Sequence, residues 1–352
     1  MEVLSVVLYI VLAAAVVFFS IKLSDYVDLL DKKTNISGAF LGGILLAAVT
    51  SLPELFTSLT AAVFLKNPDN HYVLGNILGS NAFNLTFFAI VFGIFFKKLI
   101  DAKVGKGHLI TILITAILYV ITTIASIIFD GKGLLWGWFN PLSIAIVIMY
   151  VASIWLTPKE EESESKETDS KLTVKQIIVL FTIFSVLLIG ASIGVTYVVD
   201  WISDLFSIGA TFGGALFLGV ATSLPELTST FNLCRKKNFN AAYGNILGSG
   251  VFNFFILAFA DVMSFRCKDG SGNWVGIYHM DQSAFLLIIS AAFSLVVVVI
   301  GTILQMKGKI KNNAGSKILF IIFSLLVVGS YVVALVFSNI DLHISWAPIG
   351  TI

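Results

Sequence analysis

Apolar stretches long enough to cross a bilayer follow one another along almost the whole chain, near residues 2–22, 36–65, 72–96, 108–129, 137–156, 174–199, 207–233, 240–262, 283–306 and 317–338. A hydrocarbon core about 30 Å thick needs about 20 apolar helical residues to span it. Inside it, a backbone satisfies its own hydrogen bonds only as a helix or a closed barrel. Runs of this length predict an all-α membrane protein with ten transmembrane helices. Composition agrees, with 57% hydrophobic and 12% charged residues and a mean hydropathy of +0.96, outside the usual range of a soluble domain. The first run reads as a span and not as a removable signal, because no basic segment precedes it and no clear small-residue cleavage site follows.

The connecting loops differ sharply in charge. Alternate loops hold Lys22, Lys32, Lys33, Lys97, Lys98, Lys103, Lys106, Lys159, Lys166, Lys171, Lys175, Arg235, Lys236, Lys237, Lys307, Lys309, Lys311 and Lys317, while the others hold only Lys66, Lys132, Arg266 and Lys268. Eighteen against four places the first set in the cytoplasm by the positive-inside rule and both termini outside. The net charge of +1 conceals this sidedness and gives no sign of nucleic-acid binding. Cys234 and Cys267 fall on opposite sides of the membrane in this layout and read as packing residues. His71, His108, His279 and His343 lie in loops or near span ends and form no evident cluster; titration near neutrality makes them candidate pH sensors.

Between the fifth and sixth runs the chain reads TPKEEESESKETDSK, a charged segment that predicts a solvated cytoplasmic linker. It lacks the spacing of a calcium-binding EF-hand loop. Residues 1–156 and 174–352 then form two halves of five spans each, joined by a linker over 157–173. The second span of each half carries one motif, LLAAVTSLPELFTS at 45–58 and FLGVATSLPELTST at 217–230, each followed about twenty residues later by GNILGS. Five is odd, so the second half enters the membrane from the opposite side. The halves are expected to be inverted-topology repeats, an arrangement of secondary transporters whose site lies near the midplane.

The repeated residues are rich in hard oxygen. Pro53 and Pro225 each lack an N–H and disfavour the bond to the carbonyl of Val49 or Ala221, leaving carbonyls that need other partners at membrane depth. Thr50 and Glu54 share one helical face, as do Thr222 and Glu226, with Ser51 and Ser223 one position round. In the following span Asn76, Ser80 and Asn84 recur every four residues, matched by Asn245, Ser249 and Asn253. Gly75 and Gly79, like Gly244 and Gly248, have the spacing that lets helices approach closely. Oxygen and amide groups of this kind suit Ca²⁺ or Na⁺, whereas zinc or copper would want thiolate or imidazole. Singly, such Pro, Ser, Thr and Gly residues commonly serve packing. An intramembrane Glu is different, because a central charge costs about 2.5–3.5 kcal/mol even on insertion scales, so it signals function. Glu54 and Glu226 are the two acidic residues well inside the spans, Asp261 lying near an outer end.

These motifs resemble the α-repeats of the calcium/cation antiporter superfamily, and specifically its sodium/calcium exchanger branch, over about residues 37–96 and 208–260. The resemblance implies a packed core of spans two, three, seven and eight that holds the ions, with spans one and six sliding across it. It implies metal-ion ligands at Thr50, Ser51, Glu54, Ser80 and Asn84 and at Thr222, Ser223, Glu226, Ser249 and Asn253, with backbone carbonyls from Ala47 and Gly219. One departure is Asn253, where sodium/calcium exchangers usually carry Asp and potassium-dependent relatives rely on an acid; it leaves potassium coupling and stoichiometry open. The Glu that the proton-coupled branch tends to carry in its third and eighth spans is absent.

The expected function is secondary active exchange of Na⁺ for Ca²⁺ across the plasma membrane. A Ca²⁺/H⁺ antiporter is the alternative, and a cation channel using the same glutamates as its selectivity element is a further one. An enzyme is not expected, since no Ser/His pair, HExxH or paired Asp lies within the spans. No cofactor is expected beyond the transported Ca²⁺ and Na⁺, and no partner beyond the lipid bilayer.

Overall fold

A computed structural model of the chain describes residues 2–33, 47–65, 70–100, 102, 107–129, 139–156, 170–208, 210–235, 239–268, 272 and 276–338. The start of the second run, most of the linker and His343 lie outside these residues. Helix dominates the described chain: α1 (Glu2–Lys33), α2 (Ala47–Thr50), α3 (Leu52–Leu59), α4 (Asn70–Ile94), α5 (Phe96–Leu99), α6 (Gly107–Phe129), α7 (Leu142–Leu156), α8 (Val174–Phe206), α9 (Ala210–Gly213), α10 (Gly219–Arg235), α11 (Phe239–Met263), α12 (Gln282–Met306) and α13 (Ala314–Ser338).

Among the described residues, seven helices are long and apolar enough to cross a membrane. They are α1, α4, α6, α8, α11, α12 and α13, and they establish a multi-pass, all-helical membrane protein. Three expected spans depart from this length for local reasons. The second is split at Ser51, beside Pro53, and ends in a single turn of π-helix at Thr60–Phe64. The seventh begins as α9, passes through a π turn at Gly214–Leu218, and continues as α10 with Pro225 inside it. Such π turns accommodate an extra residue and recur at functional sites. The fifth, α7, has 15 helical residues.

Burial sorts the helices into layers. About α4 and α11 the most apolar 18-residue windows are 67% and 72% buried, whereas α1, α8 and α13 are 22% buried. The exposed apolar surface of the latter three suits lipid. At about 1.5 Å per residue, the 32 residues of α1 and 33 of α8 reach about 48–50 Å, well beyond a 30 Å core, so they tilt or project. These two helices lie along each other, and Phe184 meets Phe18, Phe19 and Tyr26 across the seam. They grip the central helices through two hydroxyls. Tyr9 Oη on α1 donates to the Phe217 carbonyl at 2.7 Å, and Tyr197 Oη on α8 donates to the Phe64 carbonyl at 2.8 Å. Each carbonyl belongs to one of the π turns.

The expected close approach at Gly75 and Gly79 is present. A Cβ at Gly75 would fall 2.2 Å from the Thr211 carbonyl oxygen, and one at Gly79 would fall 2.4 Å from Ala215 Cα. Thus α4 runs backbone to backbone against the first half of the seventh expected span. For Gly244 and Gly248, the corresponding partners by repeat alignment, residues 39–43, lie outside the described residues. One sequence reading needs correction: His71 and His279, 208 positions apart, meet edge to face with ring centroids 5.2 Å apart, so two of the histidines do cluster.

Candidate functional site

Glu54 on α3 and Glu226 on α10 are both completely buried, as are Thr50, Ser51, Thr222, Ser223, Ser80, Ser249 and Asn253. Burial of this many polar groups among apolar helices is tolerated only where they satisfy one another or hold something else. The hydroxyls cross between the two motifs. Ser51 Oγ donates to Glu226 Oε1 at 3.0 Å, and Ser223 Oγ donates to Glu54 Oε1 at 3.2 Å. Thr50 and Ser249 also face the Glu226 carboxylate, and Thr222 faces that of Glu54. The two carboxylates lie close enough to repel each other. Each leaves its second oxygen, Oε2, without a hydrogen-bond partner among the described residues.

The asparagine stripes clamp the broken helices from behind. Asn76 Nδ2 donates to Ser58 Oγ at 2.9 Å, to Thr57 Oγ1 at 3.0 Å and to the Glu54 carbonyl at 3.4 Å. Asn245 Nδ2 repeats this with Thr230 Oγ1 at 3.0 Å and the Glu226 carbonyl at 3.2 Å. These carbonyls lie one turn beyond Ser51 and Ser223, where proline chemistry loosens the helix. Ser80 Oγ donates to the Gly219 carbonyl at 3.3 Å and lies 3.5 Å from Thr222 Oγ1, which itself donates to the Leu218 carbonyl at 2.8 Å. Ala47 is the first residue of α2.

Along the stripes, several polar atoms are buried without a hydrogen-bond partner among the described residues: Asn84 Oδ1 and Nδ2, Ser249 Oγ, Asn253 Oδ1 and Asn245 Oδ1. The oxygens among them, like the two carboxylate Oε2 atoms, are hard donors of the kind that suits a cation. No group of three or more His, Cys, Asp or Glu side chains suited to a metal gathers among the described residues. Two carboxylates with neutral oxygens match an alkali or alkaline-earth ion better than a transition metal.

The sequence reading passed over two polar residues here. Asn81, one position off the stripe, bonds to Asn253. Asp261 is completely buried at the end of α11. Its Oδ2 accepts from the Asn140 backbone N–H at 2.9 Å and from Ser143 Oγ at 2.7 Å, and Ser143 Oγ in turn lies 2.7 Å from Tyr278 Oη. Burial, with the Asp261 carboxylate close by, raises the Tyr278 hydroxyl well above the ordinary tyrosine value and keeps it a donor. Cys234 and Cys267 are buried and form no disulfide with each other, and the Cys267 thiol donates to Asn70 Oδ1 at 3.1 Å.

A family model described as sodium/calcium exchanger protein matches residues 4–157 and 176–347, nearly the whole chain. The chain belongs to the sodium/calcium exchanger protein family. The resemblance carried by TSLPE and GNILGS therefore holds, and this member of a membrane cation-antiporter family is a transporter and not an enzyme. It is 25% identical over 269 residues to the inner membrane protein YrbG of Escherichia coli (strain K12), covering 72% of this chain and 78% of that one. It is 24% identical over 293 residues to the sodium/calcium exchanger MaX1 of Methanosarcina acetivorans, covering 68% and 78%. Two solved structures share the fold. The H⁺/Ca²⁺ exchanger CAX superposes with a TM-score of 0.67 at 14% identity, over 95% of this chain and 90% of that one. The sodium-calcium exchanger NCX_Mj soaked with Na⁺ and Sr²⁺ gives 0.54 at 16% identity, over 96% and 99%.

Proposed function

We propose that this family member is a secondary active antiporter that exchanges Na⁺ for Ca²⁺ by alternating access. Its ions bind between two inverted five-helix repeats, residues 1–156 and 174–352, joined by a cytoplasmic linker at 157–173. Glu54 and Glu226 supply the charge. Thr50, Ser51, Ser80 and Asn84 from one repeat and Thr222, Ser223, Ser249 and Asn253 from the other supply neutral oxygen, with carbonyls from Ala47 and Gly219. The reading rests on one observation above the rest: each carboxylate takes a serine hydroxyl from the opposite motif and keeps a second oxygen unpartnered. A single polar centre built equally from both halves is what a carrier with a midplane site needs.

Charge accounts for exchange in place of co-transport. Two carboxylates neutralise one Ca²⁺ or two Na⁺, and holding both loads together would place uncompensated positive charge in a low-dielectric interior. Without an ion, the two negative charges oppose each other and resist burial beneath the apolar α1 and α8. Those helices, exposed along most of their length yet gripping both π turns, are the elements proposed to slide. The plasma membrane, with both termini outside, is the proposed setting.

A second reading, Ca²⁺/H⁺ antiport, uses the same two carboxylates as proton carriers. It is favoured by their complete burial with no Lys or Arg bonded to them among the described residues. Labelled Ca²⁺ uptake into proteoliposomes separates the two. Uptake that requires an outward Na⁺ gradient, and vanishes with equal Na⁺ on both sides, supports sodium coupling. Uptake driven only by a proton gradient replaces it with proton coupling. Flux that continues with neither gradient, at rates far above those of carriers, points to a channel.

A further inference from the structure

The segments that carry the two asparagine stripes, residues 75–84 and 244–253, correspond residue for residue except at two places, Ala82 against Val251 and one that exchanges a polar side chain for none. Asn76, Ser80 and Asn84 match Asn245, Ser249 and Asn253, but Asn81 is matched by Gly250. Asn81, with 3% of its surface exposed, reaches from α4 to α11 and makes two bonds there. Its Nδ2 donates to the Gly250 carbonyl at 3.4 Å, and its Oδ1 accepts from Asn253 Nδ2 at 2.9 Å.

These two bonds have a fixed direction. A backbone carbonyl only accepts, so the end of the Asn81 amide that faces Gly250 is the NH₂, and the oxygen faces Asn253. An amide oxygen also only accepts, so Asn253 answers with its NH₂. The Asn253 oxygen is thereby turned away from Asn81, completely buried and without a hydrogen-bond partner among the described residues. It stands one helical turn beyond Ser249, which faces Glu226. With Gly at position 250, Asn84 has no such amide opposite it, and among the described residues both of its side-chain polar atoms are without a partner. One amide of the symmetric pair is locked and the other is not.

We propose that Asn81 is a positioning residue for cation binding: by locking the Asn253 amide it presents the oxygen, and not the NH₂, to the ion. An asparagine pointing the wrong way offers a cation two N–H donors and repels it, so a neutral amide ligand needs something to set its direction. A carboxylate, with two equivalent oxygens, does not. The inference deepens the exchange reading and rests on it.

The test compares Asn81→Ala in two backgrounds, the natural protein and Asn253→Asp, by Na⁺- or H⁺-driven Ca²⁺ uptake in proteoliposomes, separating the KM for Ca²⁺ from the maximal rate. In the natural background, loss of the lock raises the KM by about five-fold, the scale of one hydrogen bond, with the maximal rate nearly unchanged. In the Asn253→Asp background, the same change leaves the KM within about two-fold, because a carboxylate at that position needs no orienting. The Ca²⁺ concentration that gives half of the thermal stabilisation of detergent-solubilised protein reads the same affinities without transport. Equal losses in both backgrounds, or a fall in maximal rate alone, overturn the positioning role and leave exchange standing. A natural protein that moves no Ca²⁺ with either gradient overturns the exchange reading, and the proposal with it.

Discussion

Ser51 Oγ lies 3.0 Å from Glu226 Oε1 although 175 residues separate them in sequence. The reverse pairing, Ser223 with Glu54, closes at 3.2 Å. Neither motif solvates its own carboxylate through these serines; each solvates the other's. A duplicated peptide thus becomes one centre only when both copies are folded against each other.

Glu54→Gln and Glu226→Gln keep the shape and one acceptor oxygen but remove a negative charge. Each variant is expected to lower Ca²⁺ uptake by about 100-fold or more, the scale of breaking a buried charge pair, while the protein still reaches the membrane. Substantial Ca²⁺ transport in both variants would sink the assignment.

Ser51→Ala and Ser223→Ala remove equivalent charge-assisted bonds. Each should raise the KM for Ca²⁺ by about ten-fold or more, from a bond contributing about 1.5–3 kcal/mol, and the two should be alike within a factor of about three. A strongly one-sided result would mean that the two halves contribute unequally to the site.

Gly79→Ala places a methyl group where Ala215 Cα would be 2.4 Å away, a contact with backbone that cannot turn aside. A loss of about 1–3 kcal/mol follows, read as a lower thermal midpoint in detergent. Gly190→Ala on α8, where nothing lies within 4 Å, is the control and should be neutral or slightly stabilising.

Tyr9→Phe and Tyr197→Phe each free one π-turn carbonyl from the outer helices. If α1 and α8 slide as proposed, these bonds must break, and each variant should then speed exchange by up to about ten-fold, the limit set by one hydrogen bond, with the KM for Ca²⁺ unchanged. Initial rates over a range of Ca²⁺ concentrations decide it; a changed KM with an unchanged rate contradicts the idea.

Asp261→Ala orphans the Asn140 N–H and the Ser143 hydroxyl. It should cost about 1–3 kcal/mol of stability and leave the KM for Ca²⁺ unaltered, since its bonded partners are not those of Glu54 and Glu226. Asp261→Asn, which keeps an acceptor oxygen, should recover most of the loss in the same thermal assay.

Hydropathy located the helices well, because lipid-facing and core-facing helices alike must be apolar. The second and seventh expected spans were harder to bound. Pro53 announced a break, but the π turns at Thr60–Phe64 and Gly214–Leu218 have no composition of their own and come from packing. Glu54, Glu226 and their hydroxyls were legible because their surroundings recur twice. Asn81 was not, since it sits about 100° round the helix from the stripe and gains its meaning from Gly250, on another helix. Asp261 looked like a residue near a span end. Its burial comes from Asn140, Ser143 and Tyr278, contributed by segments that no periodicity links.

The contact of α4 with Thr211 and Ala215 through bare backbone fixes how far apart these two elements stand. Side chains can swing aside, but main chain pressed on main chain cannot. The helix that carries Ser80 and Asn84 is therefore held at one spacing from the segment that leads into Gly219 and Thr222, and any side chain larger than hydrogen at Gly75 or Gly79 would force the two apart.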